Sequence, residues 1–287
     1  MQRNSDLLQF ILSMVLMGTI GIFRRWIPVS SELLAFFRGL IGAASLFLYT
    51  KLTGKGGAVS SGKIDPLLFA GGIVLGLNWI FLFEAYRFTT IAKATLCYYM
   101  EPTIVLFLSP VLFNESLSGR KILCGLGSLA GMVLVSGVLE SGSGAQDLRG
   151  IACGLCAACF YALVVIFNKK CRQKNVYRRT MIELLTAAIV LIPYLLLTRS
   201  FSHTEWNPTV IALILLVGVV HTGLVYVMYF GSMTKLRAQT VSLLSYIDPL
   251  TALAVSVLVL KEPIGVPAIL GAVMILGCAV LMEKEQR

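Results

Sequence analysis

Two carboxylates lie in the middle of long apolar segments, and each is followed directly by proline. Glu101 and Pro102 occur in CYYMEPTIVLFLSP, and Asp248 and Pro249 occur 147 residues later in SYIDPLTALAVSV. A carboxylate in hydrocarbon costs roughly 2.5–3.5 kcal/mol on insertion scales, so it is rarely kept without a partner or a use. An acid of this kind can bind an ammonium group or carry a proton. We therefore expect Glu101 and Asp248 to be ligand-binding residues.

Each proline disturbs the helix that its apolar segment would form. Because proline lacks an N–H group, Pro102 deprives the carbonyl of Tyr98 of its helical partner, and Pro249 does the same to Ser245. A freed carbonyl in a bilayer must find another donor or line a wet cavity. Pro102 and Pro249 are therefore predicted hinges. The alternative is a static kink compensated by neighbouring serines.

Aromatic and polar residues accompany the two acids. Trp79, Phe83 and Tyr86 share one helical face, a stripe that either packs or lines a cavity able to hold ammonium groups and flat rings. Asn78 and His221 are isolated polar residues that either bind the ligand or only form a hydrogen bond to a neighbouring helix. The residues predicted to bind the ligand are Arg38, Asn78, Trp79, Tyr98, Tyr99, Glu101, His221, Tyr226, Tyr246 and Asp248.

The elements that carry these residues are long apolar segments. The chain is 57% hydrophobic and 13% charged, whereas soluble domains average about 45–50% apolar and about 25% charged residues. The mean hydropathy of the chain is +0.85. Ten runs of 17 to 23 residues match the roughly 20 residues that a membrane helix needs. The runs are 7–23, 33–50, 67–86, 94–113, 122–139, 151–167, 181–198, 209–231, 240–260 and 264–282. We predict an all-α integral membrane protein with ten transmembrane helices, the first retained rather than cleaved as a signal peptide.

The basic balance of the chain indicates its orientation rather than a nucleic-acid partner. With a cytoplasmic N-terminus, sixteen of the 24 lysine and arginine residues fall on the cytoplasmic side. The positive-inside rule then favours two cytoplasmic termini. The loop 168–180 is expected inside and the linker 141–149 outside. The predicted location is the cell membrane, with the lipid bilayer and a small molecule as partners.

Seven cysteines raise the question of a metal site, most of all in CGLCAAC at 153–159. Their i, i+3, i+6 spacing sweeps around a helix, and no histidine cluster accompanies them. Small residues are what helix contacts in lipid require, as in the GxxxG pairs Gly150/Gly154 and Gly127/Gly131. We predict helix-packing cysteines, with no metal, no cofactor and no catalytic residue.

The two halves of the chain are related to each other. At an offset of 147, residues 76–123 align with 223–270 without a gap, matching Tyr99 with Tyr246 and Glu115 with Glu262. The repeats are predicted at residues 1–140 and 150–287, with five helices each. Because five is odd, the second repeat enters the membrane from the opposite side. In inverted repeats the substrate site lies near the midplane between the halves.

These residues also carry a family resemblance. GLNWIFLFEAYRFTTIAKATLCYYMEP, FNESLSGRKILCG and YIDPLTALAVSVLVLKEPIGVPAILGAVMILGCAV resemble the drug/metabolite transporter superfamily, in its ten-helix EamA-type branch. The resemblance covers nearly the whole chain and is most specific in the Pro…(Asn/Lys)-Glu…Gly pattern of both halves. It implies movement of small metabolites, amino acids, sugars or drugs across a membrane, often outward.

The expected function is export or exchange of small metabolites such as amino acids. We expect the protein to act as a monomer, with a dimer as the alternative. An organic-cation or drug exporter is the second hypothesis. A membrane-embedded enzyme is the third, although the two histidines and the missing HExxH motif disfavour a metallohydrolase. Arg38 is the expected partner of Glu101. Asp248, with no basic residue expected at its depth, is the expected proton carrier.

Overall fold

The computed structural model describes residues 2–20, 23, 26–53, 65–89, 91–135, 147–173, 175–200, 206–259, 261 and 265–285. Throughout these residues the regular structure is helical, without a strand. The helices are α1 (Gln2–Gly18), α2 (Ser31–Leu52), α3 (Pro66–Phe88), α4a (Ile91–Tyr98), α4b (Glu101–Phe113), α5 (Gly119–Val135), α6 (Asp147–Lys170), α7 (Val176–Leu197), α8 (Pro208–Met233), α9a (Ala238–Leu244), α9b (Ile247–Leu258) and α10 (Val266–Glu285).

Six of the described helices are long and apolar enough to cross a membrane. They are Ser31–Leu52, Pro66–Phe88, Ala94–Phe113, Leu148–Lys170, Val176–Leu197 and Pro208–Met233. Ser5–Gly18 and Ile269–Cys278 are shorter apolar helices. Large apolar side chains also cover the outer surface, where lipid rather than water suits them. The chain is therefore an all-helical, multi-pass membrane protein, while its division into ten spans and two repeats stays a prediction.

Polar residues at the helix starts set where these helices begin. The side chains of Ser30, Asp65, Asn175 and Asn207 each accept a hydrogen bond from a backbone N–H in the first turn. Pro66 and Pro208 then occupy early helical positions, where their missing N–H costs nothing. α7 begins five residues before the apolar run that predicted it, because a capping residue rather than hydrophobicity fixes its start.

Asp65 caps α3 and also ties it to the turn between α6 and α7. Its carboxylate accepts the Leu67 N–H at 3.0 Å and the Arg172 N–H at 2.8 Å. The Arg172 hydrogen bond, with that of Leu67, lowers the pKa of Asp65 below its ordinary value.

We expect this cap to contribute stability above about pH 4, the ordinary carboxyl range, and to lose it as the pH falls through the lowered pKa. Asp65→Ala should therefore lower the melting temperature in detergent at pH 7, and the difference from wild type should shrink towards pH 3. A difference that is constant with pH would contradict the assignment.

The helices pack through small residues. A Cβ at Gly72 would lie 2.4 Å from the Thr186 Cβ, so α3 and α7 approach closely there. A Cβ at Gly131 would lie 2.7 Å from the Gly271 carbonyl oxygen, and one at Gly127 2.9 Å from the Cys278 sulfur. The predicted GxxxG contact at Gly127/Gly131 is therefore a contact between α5 and α10. Cys156 and Cys159 are exposed, which makes the prediction of packing cysteines wrong for these two.

Polar contacts divide the helix ends into two groups. At one end, Lys235 binds Asp6 at 2.7 Å and Lys169 donates to the Met233 carbonyl. Glu115 lies at the same end and accepts the N–H groups of Ala238 and Gln239 at 2.7 and 3.1 Å. The carboxylate of Glu115 thus caps α9a. Glu262, its counterpart, lies outside the described residues.

At the opposite end, Ser200 donates to Glu32 at 2.9 Å and Tyr194 donates to Glu84 at 2.7 Å. Glu84 also binds Arg87 at 2.9 Å, the surface pair that their i, i+3 spacing predicts. The starts of α1 and α9a and the ends of α6 and α8 therefore share one end of the bundle. The start of α2 and the ends of α3 and α7 share the other.

Candidate functional site

The two acid–proline pairs mark the breaks in α4 and α9. α4 is interrupted at Tyr99 and Met100, and α4b then begins at Glu101. α9 is interrupted at Ser245 and Tyr246, and α9b begins one residue before Asp248. Both carboxylates thus lie in the first turn of a helix, the end at which the helix dipole is positive. Discontinuous helices that present their N-termini near the midplane are a recurring ligand-binding device in transporters.

The backbone near the two breaks makes hydrogen bonds locally and to the other half of the chain. The Ser245 carbonyl, deprived of a partner by Pro249, accepts the Asp248 N–H at 3.2 Å. The Pro102 carbonyl accepts the hydroxyl of Ser242 on α9a. The kinks predicted at both prolines are present, and their use as hinges remains a prediction.

Both carboxylates line one small cavity between α1, α4, α6, α8 and α9. Its volume is about 30 Å³, close to the space of one water molecule. Pockets that hold small molecules are typically about 300–1,000 Å³. The described conformation is therefore closed around the site. The lining residues are Met14, Met17, Tyr98, Tyr99, Glu101, Pro102, Tyr161, Tyr229, Ser245 and Asp248.

Glu101 has no counter-charge among the described residues that line this cavity. Its side chain is buried, and its Oε1 lacks a hydrogen-bond partner among the described residues. The cavity lining contains no lysine or arginine within the part of the chain that the structure describes. Tyrosines and Asp248 line the same cavity as Glu101. A buried carboxyl in this position must take up either a proton or a cationic ligand.

Arg38 is not the partner of Glu101, so that expectation is wrong. The Arg38 guanidinium lies 5.5 Å from the centre of the Trp79 ring, and its Nη2 donates to the Tyr226 hydroxyl at 3.4 Å. Its positive charge acts on the Asp248 carboxyl, which Tyr99 also contacts. The rotation of α2 about its own axis decides this, because it directs Arg38 towards α3 and α8. The second-half acid is therefore the one with a cation in its surroundings.

Tyrosines form the rest of the cavity wall. Tyr98 packs against Tyr99 and Tyr161 with ring centroids 5.6 and 5.7 Å apart, and Tyr161 stacks on Tyr229 at 6.5 Å. Tyr161, Tyr229, Met14, Met17 and Ser245 were missed by sequence reasoning. A signal for two of them existed, since Met14 and Tyr161 are also separated by the repeat offset of 147.

Several predicted binding residues lie away from this cavity. The Tyr246 hydroxyl is 2.8 Å from that of Thr103, and its ring packs against Met132 and Ile275. Asn78 donates to the Ala157 carbonyl at 2.7 Å, the helix-to-helix bond that was the alternative to binding. Trp79 and Tyr226 lie with Arg38 and do not line the cavity either.

His221 lies in a π-helical segment of α8, Val217–Leu224. Its Nε2 is 3.0 Å from the hydroxyl of Thr19, directly beyond the end of α1, and its ring packs edge-on against Phe23 at 4.7 Å. π-Helical segments inside α-helices occur often at functional sites. His221 does not line the cavity and instead joins α8 to the segment that follows α1.

Known proteins are similar to this chain in sequence and in fold. The EamA-like transporter family matches residues 5–137 and 148–283. The Bacillus subtilis protein named "Uncharacterized transporter YxxF" is 27% identical over 99% of this chain and 92% of its own length. An Archaeoglobus fulgidus protein named "Uncharacterized transporter" is 26% identical over 96% of this chain and 95% of its own.

A solved crystal structure has the same fold, with a TM-score of 0.83, 18% identity and 96% coverage of both chains. The match to the family spans nearly the whole sequence, both acid–proline breaks included. The chain therefore belongs to the EamA-like transporter family of the drug/metabolite transporter superfamily, and it is a membrane transporter rather than an enzyme.

Proposed function

We propose that this transporter exports or exchanges small metabolites that carry an ammonium group, such as amino acids. The observation that carries the proposal is the pair of repeat-related carboxylates, Glu101 and Asp248, at helix starts around one closed cavity. Tyrosine faces beside the acids suit a cationic group, because the ring quadrupole attracts it. One substrate molecule at a time would occupy an opened form of this cavity.

The proposed mechanism is alternating access between two inverted repeats, residues 1–140 and 150–287, with ten membrane spans in all. The packing supports it: exchanging each helix with the helix five places along converts the α3–α6 contact into α8–α1 and the α3–α7 contact into α8–α2. The α2–α7 and α5–α10 contacts map onto themselves. Such pseudo-symmetry gives inward and outward openings similar energies.

Aromatic contacts lie on both sides of the cavity along α1. Phe10 and Tyr229, with ring centroids 5.5 Å apart, lie on the side of the α6 and α8 ends. Phe23 and His221 lie on the other side. We assign the Phe10 side to the cytoplasm, because Lys169, Arg172, Arg179 and Lys235 lie there and basic residues concentrate inside. Both termini are then cytoplasmic, and the protein lies in the cell membrane. A monomer contains the whole proposed pathway.

An organic-cation exporter is the second candidate. The absence of a basic residue from the described cavity lining favours it, since a carboxylate-bearing substrate gains no partner there. Flux assays with an amino acid and with a quaternary amine of similar size separate the two candidates.

We expect Met14→Trp to abolish flux in proteoliposomes, because Met14 is buried and the larger ring would fill the cavity. Leu12→Trp is the matched control, since Leu12 lies on the same helix and is 47% exposed on the outer face. Size-exclusion profiles and melting temperatures of both variants verify folding. Normal flux in a folded Met14→Trp protein would rule this cavity out as the transport site.

A further inference from the structure

A second cavity lies at the end of the bundle that we assign to the cytoplasm. Its volume is about 550 Å³, and it is bounded by α1, the turn between α6 and α7, the start of α7 and the end of α8. Its charged lining residues are Lys169, Arg172, Arg179 and Lys235. Among its lining residues, all of them in the described part of the chain, none is acidic. The wall therefore offers hydrogen-bond donors with positive charge.

Arg179 is the buried basic residue of this cavity wall. Its side chain is 3% exposed, and one Nη donates to the Phe230 carbonyl. The Nε has no hydrogen-bond partner among the described residues. Burying a guanidinium N–H without an acceptor is costly, and Arg179, which lines the cavity, brings an incompletely satisfied positive charge to its wall.

Four carboxylates interact with the residues of this basic wall. Asp6 binds Lys235 at 2.7 Å, and Asp65 accepts the backbone N–H of Arg172. Glu183 lies one turn after Arg179 on α7, and Glu115 acts on Lys169. None of these four acids lines the cavity. The basic residues are therefore held in place and partly neutralised, and none of the described residues that line the cavity is acidic.

The second cavity is adjacent to the closed cavity of the two acids. α1, α6 and α8 line both cavities, through Gln9 and Met14 on α1 and through Lys169 and Tyr161 on α6. The separations of five and eight residues correspond to about 8 and 12 Å along a helix. The Phe10–Tyr229 pair lies at this level. On α8, Tyr229 of the acidic cavity lies between Val227 and Gly231 of the basic one, so the Phe10–Tyr229 pair is an aromatic layer at which the two cavities meet.

We propose that the basic cavity is an anion-binding vestibule that accepts a compact oxyanion, a carboxylate or a phosphate. Guanidinium groups suit such ligands because their donors match the oxyanion geometry. The first turn of α7 borders the same space and adds the positive end of its dipole. In the proposed transport cycle, the vestibule holds the anionic end of a zwitterionic substrate while its ammonium end faces the aromatic layer. This last step rests on the proposed function, whereas anion binding does not.

Cys171 provides a direct readout, because it lines the vestibule. The full-length protein in phosphatidylcholine nanodiscs is alkylated with N-ethylmaleimide, and modification of each cysteine is followed by mass spectrometry. Inorganic phosphate or succinate should slow alkylation of Cys171, by about tenfold at ten times the Kd, since about one site in ten is then free. Tetramethylammonium chloride at equal ionic strength should not slow it. Glutathione added to the same sample is the internal control, because Cys156 is exposed on the lipid-facing surface of α6.

Arg179→Gln should abolish the protection. Because Arg179 is buried, Arg172→Gln is the second variant: its side chain lines the vestibule and is exposed, and its backbone bond to Asp65 is unaffected. We expect it to weaken protection several-fold. Lys170→Gln, an exposed neighbour outside the lining, is the matched charge control and should retain it.

The outcomes separate the sources of the anion. Protection by phosphate or succinate in phosphatidylcholine supports a soluble anion. Protection that occurs only in phosphatidylglycerol nanodiscs and disappears in Arg179→Gln assigns the same oxyanion chemistry to a lipid headgroup. Protection that is absent with every anion, or unchanged in both arginine variants, overturns the vestibule. Because no flux is measured, Met14→Trp can lose transport and still show protection, so failure of this proposal and of the transport site are distinguishable.

Discussion

Replacing Glu101 with glutamine is expected to reduce flux by about tenfold or more and to remove any response to an imposed pH gradient. Glu101 is the cavity carboxyl without a counter-charge, so it is the group free to exchange a proton for an ammonium ligand. Glutamine keeps the size but cannot ionise. A hydrogen bond to a charged group is worth about 1.5–3 kcal/mol, which corresponds to roughly ten- to a hundredfold in affinity.

This expectation reverses the role that the sequence suggested for Asp248. The reversal follows from the surroundings of each acid. Glu101 shares the cavity with tyrosines and with Asp248, whereas Asp248 is contacted by Tyr99 and also has Arg38 in its surroundings. We therefore expect Asp248→Asn to weaken substrate affinity while the response to the gradient persists.

The measurement is flux in proteoliposomes with and without a pH gradient, over a range of substrate concentrations. Glu84→Gln is the control, because Glu84 has the same chemistry and binds Arg87 and Tyr194 away from the cavity. If Glu101→Gln keeps its gradient response and Asp248→Asn loses it, the assignment based on Arg38 is wrong and the sequence-based assignment holds.

Gly18→Ala is expected to abolish transport and to lower the melting temperature. A Cβ at Gly18 would lie 2.6 Å from the Asp248 carbonyl oxygen and 2.6 Å from the Thr251 Cβ. Neither atom is the end of a flexible chain, so α1 and α9b would have to separate at the acid itself. Overpacking of this kind typically costs about 1–3 kcal/mol.

Gly277→Ala is the matched control for this variant. Gly277 lies in α10, and a Cβ there meets nothing within 4 Å. Alanine favours a helix over glycine by about 1 kcal/mol, so this variant should be as stable as wild type or more so, with normal flux. Equal melting temperatures and flux for Gly18→Ala and Gly277→Ala would show that α1 and α9b are not held together at this glycine.

The sequence by itself determined the features that depend on local chemistry. The length and hydropathy of the apolar runs predicted a helical membrane protein. Because proline lacks an N–H group wherever it stands, the breaks at Pro102 and Pro249 followed from the residues alone. The repeat offset predicted that Glu101 and Asp248 belong to one site, and both line the same cavity.

Only the tertiary structure decided which way each helix faces. In a soluble helix an apolar stripe marks the buried face, but here lipid and protein interior are both apolar, so hydrophobicity does not distinguish them. One residue along a helix turns a side chain by about 100°, and that rotation directs Arg38 towards Trp79 instead of Glu101 and Tyr246 towards Met132 and Ile275. The same rotations bring Tyr161 and Tyr229 to the acids and gather Lys169, Arg172, Arg179 and Lys235 around a second cavity. Those residues are distant in sequence, and only the packing of α1, α6, α7 and α8 brings them together.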